Sequence, residues 1–183
     1  MTAPQELRTA RLLLRSFERG DVPLMVRLAG AREIAATTTN IPHPYTEADA
    51  RMFLAHSFED FRNDRAVHFA VTVPPSRSLC GAVGLFLAPQ HQRAELGYWI
   101  GKPFWGKGIA TEAATAVVSF GFGSLALHRI HASHYTGNAA SQRVLEKIGM
   151  RHEGRARQHL LKWDQWIDVE NYGLLATEFR ATK

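Results

Sequence analysis

The sequence predicts an α/β domain with a mixed sheet, on three observations. First, apolar segments of strand length follow one another without an intervening helix, from AVHFAVTV through SLCGAVGLFLA to RAELGYWIG, which predicts a meander of antiparallel neighbours. Second, the order then changes, with GIATEAATAVVSFGFG reading as a helix, HRIHASHY as a strand and ASQRVLEKIGM as another helix. Third, no internal repeat, low-complexity segment or Gly/Ser linker interrupts the chain, so residues 1–183 are expected to form a single domain.

Each element has its own signal. RLLLRSF, Arg11 to Phe17, is a short apolar run between charges and reads as a first strand. Asp21 is placed to cap VPLMVRLAG, where Pro23 is tolerated early in a helix and Gly30 can end it. Two prolines make TTTNIPHPY irregular. Thr46, with Asp49 three residues on, opens a long helix whose Met52, Phe53, Phe58 and Phe61 are expected to supply an apolar face. A turn at Pro74-Pro75 separates the first two strands of the meander. In the second helical run Ala140, Val144, Leu145 and Ile148 recur at helical spacing before Gly149 as C-cap. The tail reads as two strands joined near Trp163-Asp164-Gln165.

Composition narrows the function classes. With 45% hydrophobic and 21% charged residues the chain is of ordinary globular make-up. No apolar run reaches bilayer length, and charges flank Leu12 to Leu14 where a signal peptide would need an apolar core, so a cytoplasmic protein without membrane association is expected. The net charge of +5 is spread among acidic residues without a basic block, which argues against nucleic acid as a partner. The single cysteine, Cys80, lies in an apolar setting and reads as a buried thiol. The histidines of HRIHASH are three apart, so on a strand only His128 and His134 share a face, about 20 Å from each other, and no metal site is expected.

The stretch that carries chemistry is WGKGIATEA, Trp105 to Ala113. Its spacing fits neither a Walker loop nor a dinucleotide fingerprint. A Gly-x-Gly turn opening directly into a helix nevertheless leaves the first N–H groups without partners, and Gly106 and Gly108 let an anion approach the backbone. That geometry suits a pyrophosphate. Lys107 could add charge or be solvated; Thr111 could offer its hydroxyl or merely cap.

At these residues the sequence resembles the GNAT N-acetyltransferase superfamily, in its branch of ribosomal-protein serine/alanine N-acetyltransferase-like (RimJ/RimL-like) enzymes. The superfamily's loop, Arg/Gln-x-x-Gly-x-Gly/Ala, aligns with Trp105, Gly106, Lys107, Gly108, Ile109 and Ala110, with Trp105 departing from the usual first residue. The resemblance extends over TARLLLRSF, IPHPYTEADA, ELGYWIGKPFWGKGIATEA, NAASQRVLEKIGMRHEGR and DVENYGLLATEF.

It implies a GNAT fold whose mostly antiparallel sheet splays between the fourth and fifth strands, near Tyr98 to Gly101 and His131 to His134, flanked by helices. It implies acetyl-CoA as co-substrate without a metal, the pantetheine lying in the split against Trp99 and Ile100, and an Ile100 N–H serving the oxyanion. The acceptor would be a primary amine, on a protein N-terminus or a small molecule, attacking directly in a ternary complex. Glu95 is the leading base, with a strand-edge salt-bridge carboxylate as its bland reading and His91 as second choice. The branch points to Ser141 as the acid, because Leu145 stands where many relatives carry a tyrosine. Asn138 would cap that helix and could bond the pantetheine. Trp163 and Trp166, like Tyr172, are expected in core or hairpin packing, the first two with a share in the acceptor groove. Homodimers are common in the superfamily; for this chain the oligomeric state stays open. A non-catalytic acyl-CoA-binding module and a transferase of a longer acyl group such as succinyl are the alternatives.

Overall fold

In a computed structural model, which describes residues 4–180, the chain runs β1 (Leu7–Arg8), β2 (Leu13–Arg15), α1 (Val22–Ala29), α2 (Arg32–Ala35), α3 (Glu47–Arg62), β3 (Ala66–Val73), β4 (Ser78–Ala88), β5 (Arg93–Ile100), α4 (Ile109–Gly123), β6 (Arg129–Tyr135), α5 (Ala139–Lys147), β7 (Arg151–Lys162) and β8 (Gln165–Leu175). One sheet holds all of these strands in the order β1-β2-β3-β4-β5-β6-β8-β7. The meander β3-β4-β5 is antiparallel as expected, and among the described residues β5 with β6 is the one parallel pair. The expected first strand is shorter than its apolar run and is preceded by two-residue β1, so the family's fourth and fifth strands are β5 and β6 here.

Alternation along the strands divides the core between two sheet faces. Val67, Phe69 and Val71 of β3, with Val83 and Leu85 of β4 and Ala94 and Leu96 of β5, pack against Ala113, Ala114, Val117 and Val118 of α4 and Leu145 of α5. On the opposite face Ala70 and Ala82 meet Met25 of α1 and Ala50 and Leu54 of α3, with Trp99 against them. Phe69, Leu85 and Leu145 are fully buried, each side chain contributing about 1.5–3 kcal/mol by leaving water.

Local chemistry sets the boundaries and corrects two expectations, for Met52 and Asp21. Thr46 accepts the Asp49 N–H at 3.2 Å and Asp49 accepts the Thr46 N–H at 2.7 Å, the capping box that starts α3. Met52 on that helix is 55% exposed and is not part of its apolar face, because Ala50, Leu54 and Ser57 point inward instead. Asp21 stands before α1 but its side chain does not cap that helix; its carboxylate accepts the Glu18 N–H at 2.8 Å in the short turn Arg19–Asp21 and forms a buried bidentate pair with Arg15, both contacts 2.8 Å. A buried arginine needs that partner more than the helix needs a cap. Trp163 and Trp166 are 44% and 60% exposed, outside the core, while Tyr172 is buried. The β7-β8 hairpin turns on Trp163-Asp164, with φ of 49° and 59°, the two-residue turn that the twist of a hairpin favours.

Glu170 of β8 ties this second half together, accepting from Thr136 at 3.0 Å and Arg155 at 2.6 Å and bonding His152 at 2.7 Å. The His152 bond leads in pulling its carboxyl down to about 2; burial opposes the shift, and Arg155 and Thr136 add to it.

Candidate functional site

Backbone geometry places the site where β5 and β6 part. The two strands pair only at Arg93 with Arg129, Ala94 with Ile130 and Glu95 with His131. Beyond that rung β5 stays paired with β4 as far as Ile100 opposite Gly81, and β6 stays with β8 as far as Tyr135 opposite Val169. The sheet is therefore splayed from Leu96 to Ile100, over about 13 Å of strand. The Gln92 carbonyl accepts from His128 and Arg129 across the seam, and along a strand every second residue presents its N–H and C=O to the same edge. Ala94, Leu96, Tyr98 and Ile100 follow in that series. The Ile100 carbonyl is taken by the Trp105 indole N–H, and the Gly101 N–H turns to the Cys80 carbonyl on the β4 side. The last rung uses the Leu96 N–H, so the N–H groups of Tyr98 and Ile100 face the split.

The open edge leads to the glycine loop. Gly106 and Gly108 have φ of 73° and 75°, the left-handed region that glycine adopts without strain. Gly108 is the N-cap of α4 without a side-chain cap, and the first bond of the helix runs from the Glu112 N–H to the Gly108 carbonyl. The N–H groups of Ile109, Ala110 and Thr111 are left for a ligand or solvent, and the helix dipole favours a negative one. A Cβ built on Gly106 would meet nothing within 4 Å, so the loop is an open cradle on that side. These residues fit a pyrophosphate. Lys107 is turned away, its Nζ donating to the Pro103 carbonyl at 2.9 Å, and the Trp105 ring is half exposed beside the loop.

Three residues that sequence reasoning missed hold the cradle from behind. Glu112 in the first turn of α4 accepts from the Thr9 hydroxyl at 2.6 Å, the Arg11 N–H at 2.9 Å and the Arg11 Nε at 2.7 Å. Arg11 also donates to the Lys107 carbonyl at 3.0 Å. Burial alone would raise the Glu112 pKa, but the Thr9 and Arg11 hydrogen bonds outweigh it and hold the carboxyl below its usual range. No local signal reveals partners some hundred positions apart; only the fold does.

The far wall of the split is the start of α5. Asn138 caps it, its Oδ1 accepting the Ser141 N–H at 3.1 Å. The Ser141 hydroxyl lies 2.8 Å from the hydroxyl of Tyr98, a β5 residue that sequence reasoning did not single out. Leu145, at the position where relatives carry a tyrosine, is fully buried in the core.

Glu95 lies on the last paired rung, exposed, on the sheet face opposite Tyr98. Beside it across the seam is His131, whose imidazole burial holds below its usual pKa, with nearby Glu95 acting the other way. His131 is therefore neutral at neutral pH. Phe86, half exposed, and Gly97 border the same face, and Trp99 packs toward α1 and α3 on that side. His91 sits in the turn before β5, at the end of the strand away from the loop. Further along, the hairpin tip meets the segment before α3, where Lys162 donates to the Thr38 carbonyl at 2.8 Å and the Arg32 guanidinium stacks 4.9 Å over Trp163. Cys80 is buried away from the split, and burial pushes its thiol up to about 11. Among the described residues, no group of three His, Cys, Asp or Glu side chains could hold a metal, and no helix is long and apolar enough to cross a membrane.

Comparison with known proteins agrees with this geometry. Residues 11–151 match the acetyltransferase (GNAT) domain. The chain is 31% identical over 172 residues to the uncharacterized N-acetyltransferase YnaD of Bacillus subtilis, covering 93% of this chain and 97% of that one. It is 29% identical over 121 residues to the [ribosomal protein uS5]-alanine N-acetyltransferase of Escherichia coli, covering 65% and 61% of the two chains. The structure of RimL, a ribosomal L7/L12 alpha-N-protein acetyltransferase in complex with coenzyme A, shares the fold with a TM-score of 0.86 at 17% identity, covering 93% of this chain and 98% of that one. With the split sheet and glycine loop in place, the chain belongs to the GNAT acetyltransferase family and is an N-acetyltransferase.

Proposed function

We propose that this enzyme takes acetyl from acetyl-CoA and passes it to the α-amine of a protein N-terminus by direct attack in a ternary complex. The observation that carries this reading is the backbone edge from the Leu96 carbonyl to the Ile100 N–H, left unpaired by β6 and leading to the uncapped start of α4. When bound, acetyl-CoA supplies an activated acetyl group as its thioester. The N–H groups of Gly108 to Thr111 hold the pyrophosphate, with Trp105 and Lys107 at the margin of the loop. Leu96 to Ile100 hold the pantetheine on the strand side, Trp99 bracing that strand from the far face, and Asn138 fixes the helix opposite. The Ile100 N–H donates to the carbonyl oxygen as it gains charge. Glu95, directly or through water, receives the proton of the attacking amine, and Ser141 donates to the departing sulfur.

An exposed carboxylate is a modest base, which favours an acceptor that needs little help. At neutral pH about one α-amine in eight is neutral, against about one lysine amine in 2,500. Similarity to the uS5-alanine N-acetyltransferase supports the same choice. A cytoplasmic location follows from such a donor and acceptor.

Thiol release from acetyl-CoA, measured with peptides beginning in Ala or Ser, with lysine and with polyamines, tests the proposal. The peptides are expected to release thiol fastest. Release from succinyl-CoA exceeding that from acetyl-CoA would overturn the acyl assignment, preference for lysine or polyamine the acceptor, and no amine-dependent release on the whole panel the catalytic reading.

A further inference from the structure

Tyr98 rises from the open stretch of β5 and reaches the opposite wall of the split, its hydroxyl 2.8 Å from the Ser141 hydroxyl and 3.4 Å from the Ser141 carbonyl. Each hydroxyl carries one proton, and a carbonyl can only accept. Both directions satisfy the two contacts, but the phenol is the more acidic of the two hydroxyls and therefore the stronger donor across the 2.8 Å contact, its O–H reaching Ser141 Oγ. With Tyr98 as donor, the Ser141 proton has no protein partner among the described residues and is free to point into the split.

We propose that Tyr98 is a positioning residue for catalysis: it donates to Ser141 Oγ and so turns the Ser141 proton toward the leaving sulfur. The inference rests on the assignment of Ser141 as donor to that sulfur. The bonds exchanged are those of acyl transfer: the C–N bond forms, the C–S bond breaks, and the amine proton goes to Glu95 or water. The sulfur leaves as a thiolate held by the Ser141 O–H and is protonated by water afterwards.

Tyr98 is not the net source of that last proton. Burial pushes its phenol up to about 12, with the Ser141 hydrogen bond acting the other way. A free thiol titrates near 8.5, so proton transfer from this phenol to the thiolate is uphill by several powers of ten. Its burial suits it to hold a proton in place, and its position on a strand paired throughout with β4 fixes the direction in which it holds it. A hydroxyl on the first turn of α5, otherwise free to rotate, acquires one orientation.

Steady-state kinetics of Tyr98→Phe, Ser141→Ala and the double variant test this, with acetyl-CoA affinity measured alongside. Tyr98→Phe is expected to lower kcat about tenfold while leaving KM for acetyl-CoA within about twofold, and to have no further effect once Ser141 is alanine. Ser141→Thr, which restores a hydroxyl, should recover kcat over Ser141→Ala when Tyr98 is present and not in the Tyr98→Phe background. Unchanged kcat in Tyr98→Phe, or losses that multiply in the double variant, would overturn the inference. Full activity in Ser141→Ala would remove the acid assignment, and a Tyr98→Phe loss persisting there would mean that Tyr98 acts on the sulfur itself. Amine-dependent turnover by the unaltered enzyme separates these outcomes from failure of the catalytic reading as a whole.

Discussion

Glu112 and Glu95 stand on the two sides of the same site, and they are used in opposite ways. Glu112 is bound by Thr9 and Arg11 and ties the glycine loop and the start of α4, the proposed donor cradle, to the first strands. Glu95 is exposed on the last rung before the sheet opens, on the face where an acceptor would arrive. The donor half is made of main chain: glycine conformations, free N–H groups of a helix start and an unpaired strand edge. The proposed acceptor half is made of side chains, Glu95, His131 and Phe86, with the Trp163 tip at its margin. A backbone site has to fit one invariant ligand, whereas a side-chain face can be altered without disturbing the fold.

If the halves are separate in function, substitutions should sort by which kinetic parameter they move. The largest expected effect is that of Glu95→Gln, which should lower kcat about 100-fold with acetyl-CoA affinity unchanged. An unaltered rate across the pH range would mean that water alone, or His131, serves as the base. Next comes Gly106→Ala, which should weaken acetyl-CoA binding about tenfold or more by placing a methyl group where the phosphates approach. Since that methyl meets nothing in the free protein, the stability cost should be only the about 1–2 kcal/mol of a left-handed alanine, readable by denaturant unfolding.

Glu112→Gln should have a smaller effect, shared between stability and donor binding, of about 1 kcal/mol. Its pH dependence has a definite sign. The folded pKa of Glu112 is lowered, so its contribution is complete above the unfolded carboxylate's range and is lost as pH falls through the folded value. Acid unfolding of the Gln variant should lack that component. Smallest is Trp163→Ala, expected to raise KM for the peptide a few-fold and leave acetyl-CoA binding alone, since the ring packs on Arg32 at the hairpin tip and touches no part of the cradle. A change in acetyl-CoA binding would join the two halves.

The same division explains what the sequence disclosed. The meander, the helix after the glycine loop and the Thr46 and Asn138 caps follow from rules of spacing and local hydrogen bonding, and all are present. The cradle was legible for the same reason, being made of two glycines and the residues that follow them. The strut from Arg11 to Glu112, the Tyr98 to Ser141 contact and the pairing of His131 beside Glu95 were not. Each depends on strand register between distant segments, which composition and periodicity do not encode. Met52 marks the reverse failure: an apolar side chain was expected on the inner face of its helix, yet the helix phase turns it to solvent, while Trp163 and Trp166, expected in core or hairpin packing, lie in the hairpin and not in the core. Asp21 was expected to cap because it precedes a helix, and the buried charge of Arg15 claimed it instead.

The division is tested most directly by calorimetric titration of acetyl-CoA into the unaltered enzyme, Glu95→Gln and Gly106→Ala. The expected result is the same affinity for Glu95→Gln as for the unaltered enzyme, and an affinity reduced by about tenfold or more for Gly106→Ala. Full affinity in Gly106→Ala, or a large loss in Glu95→Gln, would contradict a donor site built from the backbone of the glycine loop and independent of the acceptor face.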